Sequence, residues 1–352
     1  MSVASHLTNL PSARRRTTVA ALACLVAFLL GACSLRFSTN PESLPSLSQS
    51  QSLRDTMART EVAAHARALE LAAKANTCQA CSSALHDVAA ASEQRATLLG
   101  GMWDPWGDAT TDGLQQPQDA ADAPVDIASF VSWLEASARR DLLAATDADV
   151  VEPEEASAMV RLALGRHQDA THLAGIYGVD VTTGAANVNT TVARAKVLND
   201  LGGGTSDGGW ALADDSFAQL SPSPLEQDNQ ADEALASTIT SWDCIAQHVP
   251  ARELADETIP NGESIGDALL ARSLVYLTQG ATDRRLYRCQ ISDTSPTGLA
   301  ATVLDADLAL FTSSSTPVRQ IGAQALLEDL AVWSPYMDEV LASRSFTLIE
   351  GE

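Results

Sequence analysis

The amino-acid sequence predicts an all-α protein, built as a multi-helix bundle of about eight helices. Apolar residues recur three and four positions apart along most of the chain, which is the spacing of one face of a helix. Alternation of apolar and polar residues, which would indicate strands, is almost absent from the sequence. Segments rich in glycine and proline separate the periodic stretches, so we expect helices joined by loops.

Composition divides the chain into five segments. An arginine cluster and an apolar run come first, a stretch rich in serine, proline and glutamine follows, and a glycine- and proline-rich stretch lies past the middle. We expect a leader at 1–32, a flexible tether at 33–51, a helical domain or half at 52–201, a linker at 202–228 and a second helical domain or half at 229–352. The length allows either two modest domains or one large bundle.

Five helices are predicted in the first half. Paired glycines, Gly100 and Gly101, end the second of them. Pro153 and the two glutamates after it mark the start of the fourth, because proline lacks the hydrogen that is unpaired there and acidic groups favour the positive end of a helix. The predicted helices are 54–75, 82–99, one beginning at Ile127, one from 153 to about 177, and 190–201.

Four apolar stripes predict the helices of the second half. In each stripe, apolar residues recur at helical spacing and therefore share one face. The stripes are Leu235, Ile239, Trp242, Ile245 and Val249; Leu269, Leu270, Leu274 and Leu277; Leu299, Val303, Leu304 and Leu308; and Ile321, Ala325, Leu330 and Trp333.

The leader has the order of an export signal. Three arginines at 14–16 precede an apolar stretch at 19–30, which is too short for a spanning helix of about 20 residues. The stretch ends in Leu30-Gly31-Ala32-Cys33, a box that resembles the lipobox of bacterial lipoprotein precursors. The resemblance implies that the Cys33 sulfur receives a diacylglycerol and that the chain is cut just before it. Acyl chains on Cys33 would then hold the protein at the outer face of the cell membrane.

Alternatives stay open for the leader. An ordinary signal peptide with a chance cysteine would leave the protein without an anchor. Residues 12–18 are similar to a twin-arginine export signal but lack the apolar residue expected soon after the arginines, so the general secretion route is favoured. The scarcity of lysine, with Lys74 and Lys196 alone, resembles proteins encoded by GC-rich bacterial genomes, notably actinobacterial ones.

Acidic residues dominate the charge. The chain has 22 basic and 45 acidic residues, and its formal net charge of −23 becomes −26 once the leader, with three arginines and no acidic residue, is removed. Such a surface repels nucleic acid, which needs basic tracts to bind it. We expect no nucleic-acid partner. The expected partners are the membrane, reached through Cys33, and an unidentified envelope protein or wall component.

Four cysteines remain beyond the leader and Cys33. An even number in an exported chain favours disulfides, and of the three pairings we prefer Cys78–Cys81 with Cys244–Cys289. A redox dithiol is the alternative for the Cys78-Gln-Ala-Cys81 motif, but that chemistry places the motif between a strand and a helix, and both flanks here are predicted helical. A four-thiolate zinc site is a further alternative, with which oxidation outside the cell competes.

Gly262-Glu263-Ser264-Ile265-Gly266 matches the Gly-x-Ser-x-Gly turn of α/β-hydrolases. That turn follows a strand and needs a histidine later in the chain, whereas this motif follows Pro260-Asn261 and the last histidine is His248. We interpret the motif as a helix start in which Ser264 caps the amide of Asp267. No catalytic residue is assigned.

Acidic residues and histidines on predicted helices are candidates for a metal centre. Ferritin-like di-metal proteins use Glu-x-x-His pairs, because a spacing of three places both ligands on one helix face. The spacings of Glu61 with His65 and of Asp169 with His172 resemble that arrangement, although the chain contains no Glu-x-x-His. The resemblance implies a metal-binding protein or an oxidoreductase. The candidate ligands are Glu61, His65, His86, His167, Asp169 and His172.

Two tryptophans, Trp103 and Trp106, flank an Asp-Pro pair near a predicted loop. Exposed indoles stack on sugars or on apolar side chains of a partner; the favoured alternative is that they fold back and seal a helix end. Altogether we expect a lipid-anchored, extracytoplasmic, non-enzymatic helical protein that binds or organises an envelope component and needs no cofactor. A degenerate ferritin-like metal-binding protein or oxidoreductase is the alternative.

Overall fold

The computed structural model describes residues 43–107, 114–179, 225–256, 259 and 262–344. The leader, Cys33, the tether up to residue 42, the helix expected at 190–201 and the linker up to residue 224 lie outside the described residues.

Nine α-helices and no strands occur in the described residues, so the all-α prediction is confirmed. In chain order they are α1 (Gln49–Lys74), α2 (Gln79–Leu98), α3 (Ile127–Ala144), α4 (Pro153–Tyr177), α5 (Glu233–Asp256), α6 (Gly262–Thr278), α7 (Pro296–Ala309), α8 (Thr316–Val332) and α9 (Ser334–Arg344). Short 3-10 helices lie at Gln227–Asn229 and Leu310–Thr312.

Chain contacts define two compact units. The described residues of one unit are 43–45, 105–107 and 114–117. Within it, the Trp106 indole Nε1 donates to the Gln115 carbonyl oxygen at 2.8 Å. The other unit, the helical body, comprises the described residues within Ser46–Asp104 and Gln118–Glu352, which include all nine described helices.

Side-chain caps explain where helices begin. The Ser48 hydroxyl accepts from the Gln51 amide and the Gln51 side chain accepts from the Ser48 amide, a capping box that starts α1 at Gln49. The last three residues of the expected tether, 49–51, are therefore helical. The composition of this stretch suggests a tether, but the reciprocal cap between Ser48 and Gln51 stabilises the helix start at Gln49. Asp126 caps α3 through the Ser129 amide.

The predicted ends of α4 are confirmed, and the predicted cap of α6 is wrong. α4 begins at Pro153, and Gly178, with φ of 62°, ends it in the left-handed conformation that glycine tolerates. α6 begins at Gly262, so Ser264 lies inside the first turn rather than at the cap. A Cβ at position 262 would lie 2.8 Å from the Val249 carbonyl oxygen, so glycine lets the start of α6 approach α5 closely.

Two apolar clusters fill the helical body. The smaller lies between the later part of α1, α2, and the facing parts of α3 and α4. The larger joins the start of α1, the end of α3 and the start of α4 to helices α5–α9. Both predicted halves therefore contribute to one core. Gln168 of α4 also donates to the Asp338 carbonyl oxygen of α9 at 2.9 Å.

Three of the four predicted apolar stripes are buried along their whole length, namely those in α5, in α7 and at Ile321–Trp333. The stripe in α6 is buried only in part: Leu269 is inside, whereas Leu274 is 49% exposed because α6 packs mainly on α5. None of the described helices combines the length and the apolar composition that a membrane crossing requires.

Candidate functional site

A network of buried charges connects the first four helices. Glu61 of α1 and Arg166 of α4 lie at its centre, and both side chains are fully buried. We call the network the four-helix ion cluster. Its members are three acids and three arginines: Glu61, Asp141, Asp169, Arg95, Arg140 and Arg166.

Arg166 joins carboxylates from two helices. Its Nε and Nη2 donate to Glu61 Oε1 at 3.1 and 2.6 Å, and its Nη1 donates to Asp141 Oδ2 at 2.7 Å. Burial alone would lower the pKa of Arg166, but the charges of Glu61 and Asp141 outweigh it and hold the pKa above its ordinary value. Arg166 therefore stays cationic, and its single positive charge is shared between the two buried carboxylates.

A second arginine completes the cluster on α2. Arg95 Nε lies 3.0 Å from Glu61 Oε1, and Arg95 Nη2 donates to Asp169 Oδ2 at 2.5 Å. Ser92 accepts a further hydrogen bond from Arg95 Nη2 at 3.1 Å. Burial alone would lower the pKa of Arg95, but the charges of Asp169 and Glu61 outweigh it and raise the pKa.

The six candidate metal ligands do not form one ligand set. Glu61 and Asp169 are brought together, but around Arg95. His65 Nδ1 lies 2.9 Å from the Ala89 carbonyl oxygen, and His167 Nδ1 lies 2.6 Å from a carboxylate oxygen of Glu135. The two remaining candidates, His86 and His172, are exposed on α2 and α4.

A second buried cluster, which the sequence did not indicate, lies among α5–α8. Trp242 Nε1 donates to Asp307 Oδ1 at 2.9 Å, while Arg272 holds Asp329 through two hydrogen bonds of 2.6 and 3.2 Å. The Arg272 guanidinium carbon lies 5.0 Å from the centre of the Trp242 ring, within range of a cation–π interaction. We call Trp242, Arg272, Asp307 and Asp329 the aspartate pair cluster.

The aspartate pair cluster favours a protonated carboxyl. Burial and then the charge of Asp329 raise the pKa of Asp307 well above its ordinary value of 3.8. Tyr276, whose ring centre lies 6.4 Å from that of Trp242, has its pKa raised to about 12 by burial. Asp307 is therefore the carboxyl of this cluster that favours its protonated form, and it is buried in the packed core of the body.

The structure contains both preferred disulfides, Cys78–Cys81 and Cys244–Cys289. Cys78 is the N-cap of α2, its sulfur accepts from the Cys81 amide, and α1 ends four residues earlier at Lys74. The first disulfide therefore lies at the turn of a helical hairpin. That position differs from the strand-to-helix position of thioredoxin-type dithiols.

Cys244, His248 and Cys289 form the one group of three potential metal ligands found in the described part of the chain. Their ligand atoms lie within 4.8 Å of one another, and all three side chains are partly exposed. Cys244 and Cys289 are joined as a disulfide, so neither carries the thiolate that binds a metal. His248 is not among the metal ligands that the sequence predicts, whereas the pairing of Cys244 with Cys289 is predicted.

The tryptophans singled out from the sequence are both half-buried. The Trp103 amide donates to Asp55 Oδ1 at 2.7 Å, and its carbonyl oxygen accepts from Arg59 Nη2 at 3.4 Å, so α1 holds this residue within the helical body. Trp106 belongs to the smaller unit, where its indole donates to Gln115.

Comparison with known proteins gives no match: no protein family, no curated protein and no solved structure matches this chain. The site geometry and the sequence motifs therefore carry the functional conclusion.

Proposed function

We propose that this chain is a lipid-anchored helical protein at the outer face of the cell membrane, where it binds or organises a component of the envelope without catalysing a reaction. The observation that carries the proposal is the Leu30-Gly31-Ala32-Cys33 box at the end of an arginine-led apolar leader. Two disulfides support it, because disulfides form and persist in oxidising compartments outside the cytosol.

The buried charges of the helical body support a structural rather than a catalytic role. Glu61 and Asp141 each contact two arginines, so these carboxylates are already neutralised inside the core. A ferritin-like centre needs carboxylates that are free to bind metal. Here arginine side chains contact the carboxylates in place of a metal ion, which favours the non-enzymatic binding protein over the degenerate ferritin-like alternative.

The anchor is tested with two cysteine variants of the full chain. Cys33→Ala should lose incorporation of radiolabelled palmitate and move from the membrane fraction to the soluble fraction. Cys24→Ala is the matched control, because it removes a cysteine from the same leader but leaves the box intact, and it should stay labelled and membrane-bound. Labelling that survives Cys33→Ala, or an uncut leader found by mass spectrometry, contradicts the proposal.

The oxidised state is tested by counting thiols in protein taken from the membrane. Alkylation under denaturing conditions should modify no cysteine before reduction and four afterwards, namely the two disulfide pairs, since Cys33 is a thioether. Free thiols before reduction would argue against an exported, oxidised protein.

The envelope partner is sought by cross-linking in intact cells followed by purification of the protein. A component captured by the parent but lost from the released Cys33→Ala form would identify what the anchor positions the protein to meet. Equal capture by both forms would show that the anchor does not select the partner. Turnover of a substrate or stoichiometric metal in the purified protein would favour the enzymatic or metal-binding alternative.

A further inference from the structure

Helix α5 presents two metal-ligating side chains on one face. Cys244 and His248 are four residues apart, a spacing that places their side chains one above the other on a helix. Cys289, from the segment between α6 and α7, meets them there, with the ligand atoms of all three residues within 4.8 Å. A helix that supplies a sulfur and a nitrogen, with a second sulfur from a neighbouring segment, is a three-ligand arrangement suited to zinc.

The surroundings of this group leave it open to small molecules. All three side chains are partly exposed, and Cys289 Sγ lies 3.7 Å from the side-chain oxygen of the neutral Gln247. A reductant and a hydrated cation can therefore reach the sulfurs. The other disulfide of the structure, Cys78–Cys81, has no third ligand grouped with it among the described residues, which makes it the natural comparison.

We propose that reduction of the Cys244–Cys289 disulfide converts this group into a zinc site formed by Cys244, His248 and Cys289, with water as the fourth ligand. A dithiol reductant transfers two electrons and two protons to the disulfide and is itself oxidised to a disulfide, leaving two cysteine thiols. Zn²⁺ then binds as both thiols lose their protons to solvent and the imidazole nitrogen donates its lone pair.

The movement needed is small. Tetrahedral zinc with Zn–S bonds of about 2.3 Å holds its two sulfurs roughly 3.8 Å apart. The proposal therefore requires the two sulfurs to move apart after reduction, through rotation of the two cysteine side chains and a small shift of the segment that carries Cys289. The disulfide and the metal join the same two parts of the chain, so α5 stays tied to the segment before α7 in both states.

The test uses the full chain, purified in detergent, in a Cys78→Ser/Cys81→Ser background that removes the other dithiol. The oxidised protein should bind no Zn²⁺. After reduction and removal of the reductant without oxygen, it should bind one equivalent of Zn²⁺, and Co²⁺ should give the absorption typical of thiolate coordination. Reduced protein that binds neither metal overturns the proposal.

Two histidine variants test the third ligand. His248→Ala should weaken Zn²⁺ binding at least about 10-fold, since loss of even an outer-shell partner commonly costs that much. His172→Ala, at an exposed histidine on α4, is the matched control and should leave the affinity unchanged. Equal affinities in the two variants remove His248 from the site and overturn the proposal.

Folding of the reduced state is followed by circular dichroism in the same samples. Retained helical signal before zinc is added shows that the site forms on a folded body. A Cys244→Ser/Cys289→Ser variant, which cannot be oxidised at this position, reports whether loss of the disulfide alone unfolds the protein. Loss of helical signal that zinc does not restore, together with no zinc uptake, also overturns the proposal.

Discussion

Replacement of Arg166 by methionine should destabilise the helical body severely. Arg166 is fully buried and donates three hydrogen bonds to carboxylates, each worth about 1.5–3 kcal/mol, which sets an upper range of roughly 5–9 kcal/mol. In the variant, Glu61 still contacts Arg95 and Asp141 still contacts Arg140, so part of this stabilisation is retained. We expect Arg166→Met to lower the free energy of unfolding by about 3–5 kcal/mol.

Urea unfolding followed by circular dichroism measures this loss. The matched control is Arg54→Met, because Arg54 also pairs with a glutamate, Glu155, but is 49% exposed. That variant should lose less than about 1 kcal/mol, as exposed ion pairs contribute little. Equal losses of free energy in the two variants would show that burial of the cluster does not determine its contribution to stability.

A double-mutant cycle isolates the interaction of Arg166 with Glu61. Arg166→Gln and Glu61→Gln each leave buried partners without their counter-charge, whereas the double variant removes one charge of each sign. Because residues in one ion-pair network couple, the double variant should lose less stability than the sum of the single losses, by about 0.5–3 kcal/mol. Simple additivity would show that the two side chains do not act as a pair.

Four other substitutions have defined outcomes in the same unfolding assay. The pKa of Asp307 is raised in the folded protein, so the stabilisation that comes from its protonated carboxyl is fully present below pH 3.8 and is lost as pH rises through the raised pKa. Asp307→Asn should therefore be neutral or stabilising at pH 7. It should also reduce the loss of stability that the parent protein shows as pH rises. Burial alone would raise the pKa of Glu135, but His167 and Arg139 outweigh it and lower the pKa from 4.5, so Glu135→Gln should lose stability above pH 4.5, with the difference shrinking as pH falls. Gly322→Ala should destabilise the protein by about 1–3 kcal/mol, because a Cβ there would lie 2.8 Å from the Leu310 Cβ. Gly175→Ala should instead stabilise it by about 0.5–1 kcal/mol, because a Cβ there meets nothing within 4 Å. Reversed signs in the two variants would contradict the role of close packing at Gly322.

Local sequence signals predict the helices well. The predicted span from Pro153 to about Tyr177 is the observed α4, because proline in the first turn and glycine after the last turn are strong boundary signals. The predicted start of α1, residue 54, lies five residues after the observed start at Gln49, since the capping residues Ser48 and Gln51 lie in a segment whose composition suggests a tether. Boundaries are thus predictable where the cap is local and the composition agrees with it.

The buried ion clusters could not be predicted in the same way. Arg166 and Glu61 are 105 residues apart in the sequence. Taken alone, each charged residue would be expected on the solvent-exposed face of its helix. Only the packing of four helices turns those faces inward and pairs them. The group of Cys244, His248 and Cys289 is partly predictable from the sequence. The spacing of four between Cys244 and His248 can be read from the sequence, whereas the approach of Cys289 follows only if the preferred disulfide pairing is correct.

The Cys244–Cys289 disulfide also determines whether the fragments separate after proteolytic cleavage in the segment between α6 and α7. Arg284 and Arg288 are exposed there, and both precede Cys289 in the chain. An enzyme of trypsin specificity that cuts after either arginine would produce two polypeptides still joined through sulfur. Such nicked protein runs at full length on a non-reducing gel and separates into fragments only in reducing buffer, so a single cleavage event leaves the molecule in one piece.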